Sequence, residues 1–275
     1  MAVRGAFITR DHPSSPFPIR QPSDSEYQTA TPDEGAASIN EGIAMAVQRL
    51  AAPARRDLLW LDREAAQARA YDEIGARYDE AFPHKEGQLA CAERLIERLE
   101  PGARVLDVGA GTGLPTARQL IAAGCQVTCL DLAPGMLELA QANVPGARFV
   151  LGDVVDLPDE PAQYDAVVAF FSLLNLPRVR VRTAMKLIGR ILRPGGYFAL
   201  AMVEADVDDV AIPFLGERVR VTGYLRDDLR ALLRETGFEV AYEDVVSYAP
   251  ETSTAQPEIQ LFLLCRQTSD PEVWG

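Results

Sequence analysis

The sequence predicts an α/β fold in which a mostly parallel sheet of seven strands carries helices on both faces. From about residue 104 to residue 204, apolar strand patterns alternate with helical patterns. These strands are apolar throughout, which is typical of parallel strands that are buried on both faces. The last two strand patterns have no helix between them, so we expect a C-terminal antiparallel hairpin. Together these features predict a Rossmann-like sheet preceded by an N-terminal helical lid.

The predicted elements follow one another in a regular order. Strands are expected at 104–108, 127–131, 147–153, 164–171, 197–204, 238–249 and 258–266, where apolar runs end at turn-forming or acidic residues. Helices are expected at 86–99, 114–124, 134–143, from Pro177 to just before Pro194, and at 226–236. Pro134 and Pro177 stand at helix starts, where a proline removes no helical hydrogen bond.

The chain is expected to have three parts: a flexible arm at 1–35, a helical lid or cap at 36–100, and a core at 101–275. The arm contains five prolines among serine, threonine and aspartate, a composition that disfavours both helix and sheet. It could wrap a second copy of the chain, which would make the protein a homodimer.

The lid is predicted to contain helices at 38–51 and 55–82. Ser38 and Glu41 have the spacing of a capping box, which supports a helix start at this point. In the second helix, aromatic and apolar side chains recur every three or four residues and form one face, listed as Tyr71, Ile74, Tyr78 and Phe82.

Composition excludes several classes of function. The net charge of −13 and a pI of about 4.7 disfavour nucleic acid as a partner, because such a surface repels phosphate. A stripe of basic residues is interpreted as a solvated helix face and consists of Arg178, Arg182, Lys186 and Arg190. No apolar run reaches membrane-spanning length, and the first residues lack a signal-peptide pattern. The four cysteines form no CxxC pair. We therefore expect a cytoplasmic protein without a metal site or membrane association.

The most informative segment is the glycine-rich turn after the first strand, DVGAGTG at 107–113. Glycines between a strand and a helix allow the backbone to turn sharply and to approach a ligand closely. The spacing is GxGxG, and Leu114 occupies the position at which a dinucleotide-binding GxGxxG motif would have its last glycine. Asp107 adds a negative charge, which suits a cationic ligand better than a pyrophosphate. The turn therefore favours a ligand with an ammonium and a sulfonium group over a nicotinamide dinucleotide.

Over roughly residues 70–266 the chain resembles the class I S-adenosylmethionine-dependent methyltransferases of small molecules. DVGAGTG is similar to the first motif of that family, whose loop contacts the methionine part of the cofactor. The resemblance implies that Asp131 accepts hydrogen bonds from the ribose hydroxyls and that Asp153 accepts one from the adenine amine. The cofactor-binding set that it implies is Tyr71, Asp107, Gly109, Ala110, Gly111, Gly113, Asp131, Leu132, Met136, Asp153, Val154 and Phe170. The cofactor would be S-adenosyl-L-methionine and the product S-adenosyl-L-homocysteine.

The resemblance implies methyl transfer to a small-molecule acceptor, with oxygen preferred slightly over nitrogen, in bacterial natural-product biosynthesis. We expect acceptor contacts in residues 205–224, because loops that follow strands form pocket walls. Candidate catalytic residues are His84, which is one of two histidines in the sequence, Glu204 at the end of the fifth strand, and Tyr78 of the lid. One alternative is C-methylation of an indole, an enolate or an allylic diphosphate, the last of which would require Mg²⁺ or a cluster of basic residues. A second alternative is a non-catalytic protein that binds the cofactor for regulation.

Overall fold

The computed structural model describes residues 59–157, 161–249 and 257–268, all within one compact unit. The predicted arm at 1–35 and the predicted helix at 38–51 lie outside these residues, as does any contact between copies through the arm.

Seven helices and nine strands are present in the described residues. The helices are α1 (59–74), α2 (Arg77–Ala81), α3 (Glu86–Ile96), α4 (Thr116–Ala122), α5 (Pro134–Asn143), α6 (Arg178–Ile191) and α7 (Arg226–Glu235). The strands are β1 (Arg104–Val108), β2 (Gln126–Asp131), β3 (Arg148–Leu151), β4 (Tyr164–Phe170), β5 (Leu192–Val203), β6 (Val207–Phe214), β7 (Glu217–Gly223), β8 (Phe238–Tyr248) and β9 (Glu258–Gln267). Short 3₁₀ turns follow β3 and β4, at Val154–Asp156 and Leu173–Asn175.

Seven of the strands form one sheet in the order β3-β2-β1-β4-β5-β9-β8. The first five strands run parallel, and β9 is antiparallel to both β5 and β8. This arrangement confirms the predicted fold class, including the terminal hairpin. The strand order reverses beside β1, so the crevice at the carboxyl ends of β1 and β4 is where ligands bind in such sheets.

Apolar cores cover both faces of the sheet. Successive residues of β1 point into opposite cores, Leu106 into one and Val105 into the other. Helix α6 covers the first core through Met185 and Ile188, and α3 contributes Leu95 to the second. Helix α3 thus packs in the core even though the predicted lid extends to residue 100.

The basic stripe of α6 lies opposite its buried apolar face. Arg178 forms an ion pair with Asp206, and Arg182 forms one with Glu235. Along the described chain, no helix combines the length and the apolar character that crossing a membrane requires.

The long helix predicted at 55–82 is interrupted. Gly75 adopts a φ of +50°, outside the helical region, and separates α1 from α2. Glycine adopts this conformation at little cost, whereas a residue with a Cβ would be strained in it. The break lies between Tyr71 on α1 and Tyr78 on α2.

Residues 205–224 form a second, two-stranded sheet that was not predicted from the sequence. Strands β6 and β7 pair antiparallel, apart from the seven-stranded sheet. A third, small core joins this hairpin to α1 and α2 and consists of Ala70, Ile74, Ala81, Leu215 and Val219. The hairpin is therefore packed against the lid helices.

Candidate active site

The glycine-rich turn is held in place by hydrogen bonds to the end of β2. The Leu130 carbonyl accepts from the Gly109 and Ala110 amides at 2.7 and 3.0 Å. The Gly111 amide donates to Asp131 Oδ2 at 2.8 Å, and the Ala133 amide donates to Asp131 Oδ1 at 2.9 Å. Burial raises the pKa of Asp131, and these amide hydrogen bonds oppose that effect. Asp131 therefore fixes the shape of the turn.

The turn lies on the wall of a cavity of about 150 Å³, which we call the smaller cavity. Most of the predicted cofactor-binding residues line it together: Tyr71, Gly109, Ala110, Gly111, Asp131, Leu132, Met136, Asp153, Val154 and Phe170. They come from α1, from the first turn of α5 and from the carboxyl ends of β1, β2, β3 and β4, which the parallel sheet places at one edge.

Two predicted residues lie behind this wall rather than on it. A Cβ on Gly113 would stand 2.4 Å from Val144 Cγ2, so this glycine allows the turn to pack against the end of α5. Asp107 is only 3% exposed. Burial, together with the charge of Asp131, raises the pKa of Asp107 to about 7. Asp107 therefore lies beneath the turn and is not part of the cavity wall.

Helix α1 closes the smaller cavity with residues that sequence reasoning missed, apart from Tyr71. Gln67 Nε2 and the Tyr71 hydroxyl both donate to Asn175 Oδ1, at 2.8 and 3.2 Å. The Gly135 amide at the start of α5 donates to Asp72 Oδ1 at 2.7 Å. These bonds tie α1 to the turn after β4 and to α5. In the sequence, the polar side chains at 64, 67 and 71 recur at helical spacing and could have indicated this face of α1.

A larger cavity of about 960 Å³ lies beside the smaller one. Four rings stand on or against its wall, and Phe82 is central among them, with its ring centroid 5.2 Å from Tyr78, 5.8 Å from Phe214 and 5.8 Å from Tyr248. Residues 205–224 contribute much of the rest of the wall, through Ala205, Val207, Ile212, Pro213, Phe214, Gly216, Val219, Val221, Thr222 and Gly223. The wall is mainly apolar and aromatic, with a few polar side chains.

The two cavities meet at four residues that line both, Tyr71, Tyr78, Gln88 and Phe171. A group carried by a ligand in the smaller cavity can therefore face a second ligand in the larger one. The arrangement suits a transfer reaction between two bound molecules.

The three predicted catalytic residues all line the larger cavity but differ in exposure and in hydrogen bonding. His84 is at its rim, with a side chain that is 56% exposed and 3.3 Å from Glu86. Glu204 accepts hydrogen bonds from the backbone and guanidinium of Arg226, which lower the pKa of its carboxyl. Burial raises the pKa of Tyr78, so its phenol stays protonated at neutral pH.

Glu258, at the start of β9, is a carboxyl of the larger cavity that sequence reasoning missed. Gln260 Nε2 donates to Glu258 Oε1 at 2.7 Å and fixes its orientation. Burial raises the pKa of Glu258, and the charge of Glu258 acts on Tyr78 at the junction of the two cavities. No motif marks this residue in the sequence.

Comparison with known proteins agrees with this geometry. A family model described as a methyltransferase domain matches residues 105–196, which contain the glycine-rich turn, Asp131 and Asp153. The O-methyltransferase rstn1 of Aspergillus nomiae is 33% identical over 175 residues, covering 58% of this chain and 77% of that protein. The demethylmenaquinone methyltransferase of Renibacterium salmoninarum is 33% identical over 141 residues, covering 47% of this chain and 58% of that protein.

A solved structure shares the fold. The Burkholderia thailandensis 1,6-didemethyltoxoflavin-N1-methyltransferase, with bound 1,6-didemethyltoxoflavin and S-adenosylhomocysteine, superposes with a TM-score of 0.51 at 24% identity. The match covers 89% of this chain and 94% of that one. From the matched family model, the relatives and the fold, the chain belongs to the class I S-adenosylmethionine-dependent methyltransferases.

Proposed function

We propose that the protein transfers the methyl group of S-adenosylmethionine to an oxygen of a bulky, largely apolar small molecule, in bacterial natural-product biosynthesis. The observation that carries this proposal is the larger cavity and its junction with the smaller one. The larger cavity has a volume of about 960 Å³, at the upper end of the range of about 300–1,000 Å³ that is typical of ligand pockets. The aromatic wall suits an acceptor that contains rings.

The chemistry of the residues that line the smaller cavity suits the cofactor. A Cβ on Gly111 would meet no atom within 4 Å, so the turn leaves space directly above its backbone. Asp131 offers acceptors for ribose hydroxyls, and Asp153 Oδ2 is buried without a donor. When bound, S-adenosylmethionine supplies a methyl group on a positively charged sulfur. Because that sulfur becomes neutral on transfer, the chain needs to align the acceptor, exclude water and accept one proton.

Each of these tasks has residues suited to it. Tyr71, Tyr78 and Phe171 at the junction would exclude water and hold the acceptor against the methyl group. We assign proton removal to Glu258, because a carboxyl with a raised pKa and a fixed orientation is a better base near neutral pH. The ion pair of Glu204 with Arg226 makes that carboxylate a weaker base, so Glu204 fits a structural role better.

The charged residues on the wall of the larger cavity indicate which charge an acceptor can carry. Among its described residues Lys85 is the only lysine or arginine, and it forms an ion pair with Asp79. An allylic diphosphate would need a cluster of free cations, so this wall favours a neutral acceptor. The name of the Aspergillus nomiae relative, an O-methyltransferase, supports oxygen as the nucleophile.

The acceptor atom can be identified with isotopically labelled cofactor. The protein is incubated with ¹³C-methyl S-adenosylmethionine and a small-molecule extract of the source organism, and labelled products are found by mass spectrometry. The ¹³C chemical shift of the new methyl group then distinguishes oxygen, nitrogen and carbon attachment. We expect a methoxy signal. A C-methyl signal would favour an indole or enolate acceptor, and binding without any labelled product would favour a regulatory protein.

Asp131→Ala is expected to weaken binding of S-adenosylhomocysteine by about 1.5–3 kcal/mol, the cost of losing hydrogen bonds to a charged group. Part of this loss comes from the turn, since Asp131 also holds the Gly111 amide. Isothermal titration calorimetry measures the effect. Glu138→Ala, an exposed carboxylate on α5, is the control and should bind like the unaltered protein. Unchanged affinity in Asp131→Ala would contradict the assigned role.

The affinity for S-adenosylmethionine is expected to fall as pH decreases through about 7. In the free protein the pKa of Asp107 is raised to about 7, and a bound cation stabilises the charged carboxylate and lowers it. Binding then releases a proton, and affinity falls by up to roughly tenfold per pH unit below the free pKa. Calorimetric titrations between pH 5.5 and 8.5 measure the slope. Asp107→Asn should reduce this slope and leave the part that comes from Glu64 on α1, whose pKa is also raised to about 7. A variant with the original slope would remove Asp107 from this role.

A further inference from the structure

Two buried carboxyls from separate elements lie on the smaller cavity, and each has an oxygen without a donor. Glu64 comes from α1 and is 8% exposed, while Asp153 follows β3 and is 9% exposed. Glu64 Oε1 and Asp153 Oδ2 have no hydrogen-bond partner among the described residues. The two side chains lie within hydrogen-bonding reach of each other, and burial together with Asp153 raises the pKa of Glu64. A buried acceptor without a donor is costly, so the pair calls for an explanation.

The neighbouring protein donors are already engaged. Arg63 is paired with Asp209 and donates to the Asn175 carbonyl. Gln67 Nε2 donates to Asn175 Oδ1. Neither Arg63 nor Gln67 therefore donates to the two carboxyls, which both lie on the wall of the smaller cavity.

Their positions are fixed from behind. The Asp153 Oδ1 atom accepts from the Val155 amide at 3.1 Å. The indole of Trp60, one turn before Glu64 on α1, hydrogen-bonds to the Glu64 carboxyl. Trp60 is itself covered by the guanidinium of Arg180, 3.9 Å from the ring centroid. Asp153 is thus held from behind by the Val155 amide, and Glu64 hydrogen-bonds to Asp153 and to Trp60, while both carboxyls line the smaller cavity.

We infer that Glu64 is a second acceptor for the exocyclic amino group of the cofactor's adenine, so that Glu64 and Asp153 each accept one of its two N–H groups. A 6-amino purine supplies two donors to two acceptors. A 6-oxo purine would instead bring a carbonyl oxygen against two carboxyls and be repelled. Helix α1 thereby selects the base as well as covering it. This inference rests on the cofactor assignment and is independent of the acceptor's identity.

The test is base selectivity in binding, measured by calorimetry with S-adenosylhomocysteine and its 6-oxo analogue, S-inosylhomocysteine. The unaltered protein should bind the amino form more tightly. Glu64→Leu removes the Glu64 carboxyl, so that Asp153 alone is left to accept from the amino group. We expect this variant to bind S-adenosylhomocysteine roughly 5- to 30-fold more weakly, without a matching loss for the 6-oxo analogue. The preference ratio should therefore fall.

Glu73→Leu, at an exposed carboxylate on the same helix, is the matched control and should keep the original ratio. Thermal unfolding monitored by circular dichroism establishes that α1 is still folded in both variants. Equal losses for the two ligands in Glu64→Leu would show that Glu64 only supports the fold, and would overturn the inference. Failure of the unaltered protein to bind S-adenosylhomocysteine would overturn the cofactor assignment and this inference with it.

Discussion

Gly111→Ala is expected to weaken cofactor binding by roughly 10- to 100-fold, from the 1–3 kcal/mol that overfilling a tight contact costs. The added Cβ would meet no protein atom within 4 Å, so it would project into the space left for the ligand. The backbone cost is modest, since a left-handed φ of +56° disfavours alanine by about 1–2 kcal/mol. Calorimetry with S-adenosylhomocysteine and thermal unfolding separate the two effects.

Gly124→Ala is the matched control for this experiment. Gly124 follows α4, has a φ of +85°, and would likewise bring its Cβ into open space. It does not line either cavity. We expect both variants to lose similar amounts of stability and only Gly111→Ala to lose affinity. Equal affinities in the two variants would mean that the ligand does not approach the turn.

Glu258→Gln is expected to lower kcat by roughly 10²- to 10⁴-fold, the range that general-base removal covers. The substitution keeps the shape of the side chain and removes its ability to accept a proton. In the unaltered enzyme the rate should fall as pH decreases through the raised pKa of Glu258, because the base becomes protonated. The variant should lack this limb of the pH profile. Steady-state kinetics with the identified acceptor provides both readouts.

Binding measurements distinguish lost chemistry from lost structure in this variant. Glu258 does not line the smaller cavity, so the affinity for S-adenosylhomocysteine should remain unchanged. Glu239→Gln, an exposed carboxylate on β8, should retain full activity. An unchanged kcat in Glu258→Gln would mean that His84 or solvent, and not Glu258, accepts the proton.

The parts of the site that follow strands were predictable because strand ends in a parallel sheet share one edge. Asp131 and Asp153 each end a recognisable apolar run, so the sheet brings them to one cavity. Gly109 and Gly111 could be placed for the same reason. Asp107 belongs to this group by sequence, but its burial beneath the turn depends on packing that the motif does not specify.

The lid residues were harder to predict because their roles depend on the direction in which α1 crosses the sheet edge. Tyr71 was found through the aromatic face, whereas Glu64 and Gln67 lie on a polar stripe that also fits a solvated surface. The break at Gly75 separates α1 from α2 and was not anticipated, since an isolated glycine is tolerated within many helices. Gln67 is turned toward the protein by its hydrogen bonds with Asn175 and with the Arg220 amide, which the sequence pattern does not reveal.

The acceptor side was the least predictable because its wall is assembled from distant segments. Phe82 directly follows α2, whereas Phe214 and Tyr248 come from β6 and β8, and the three rings meet only in the folded chain. Residues 205–224 were expected to contact the acceptor, but their hairpin has no tight-turn signature such as Asn-Gly to announce it. Glu258 lies at the start of an edge-hairpin strand, where an acid is unremarkable by sequence.

A crystal structure with S-adenosylhomocysteine tests the central claim most directly. We predict that the nucleoside lies in the smaller cavity, with its ribose hydroxyls at Asp131, its adenine amine at Asp153 and Glu64, and its sulfur facing Tyr78 and the larger cavity. A nucleoside bound at another surface, or a smaller cavity that stays empty at saturating ligand, would contradict the account.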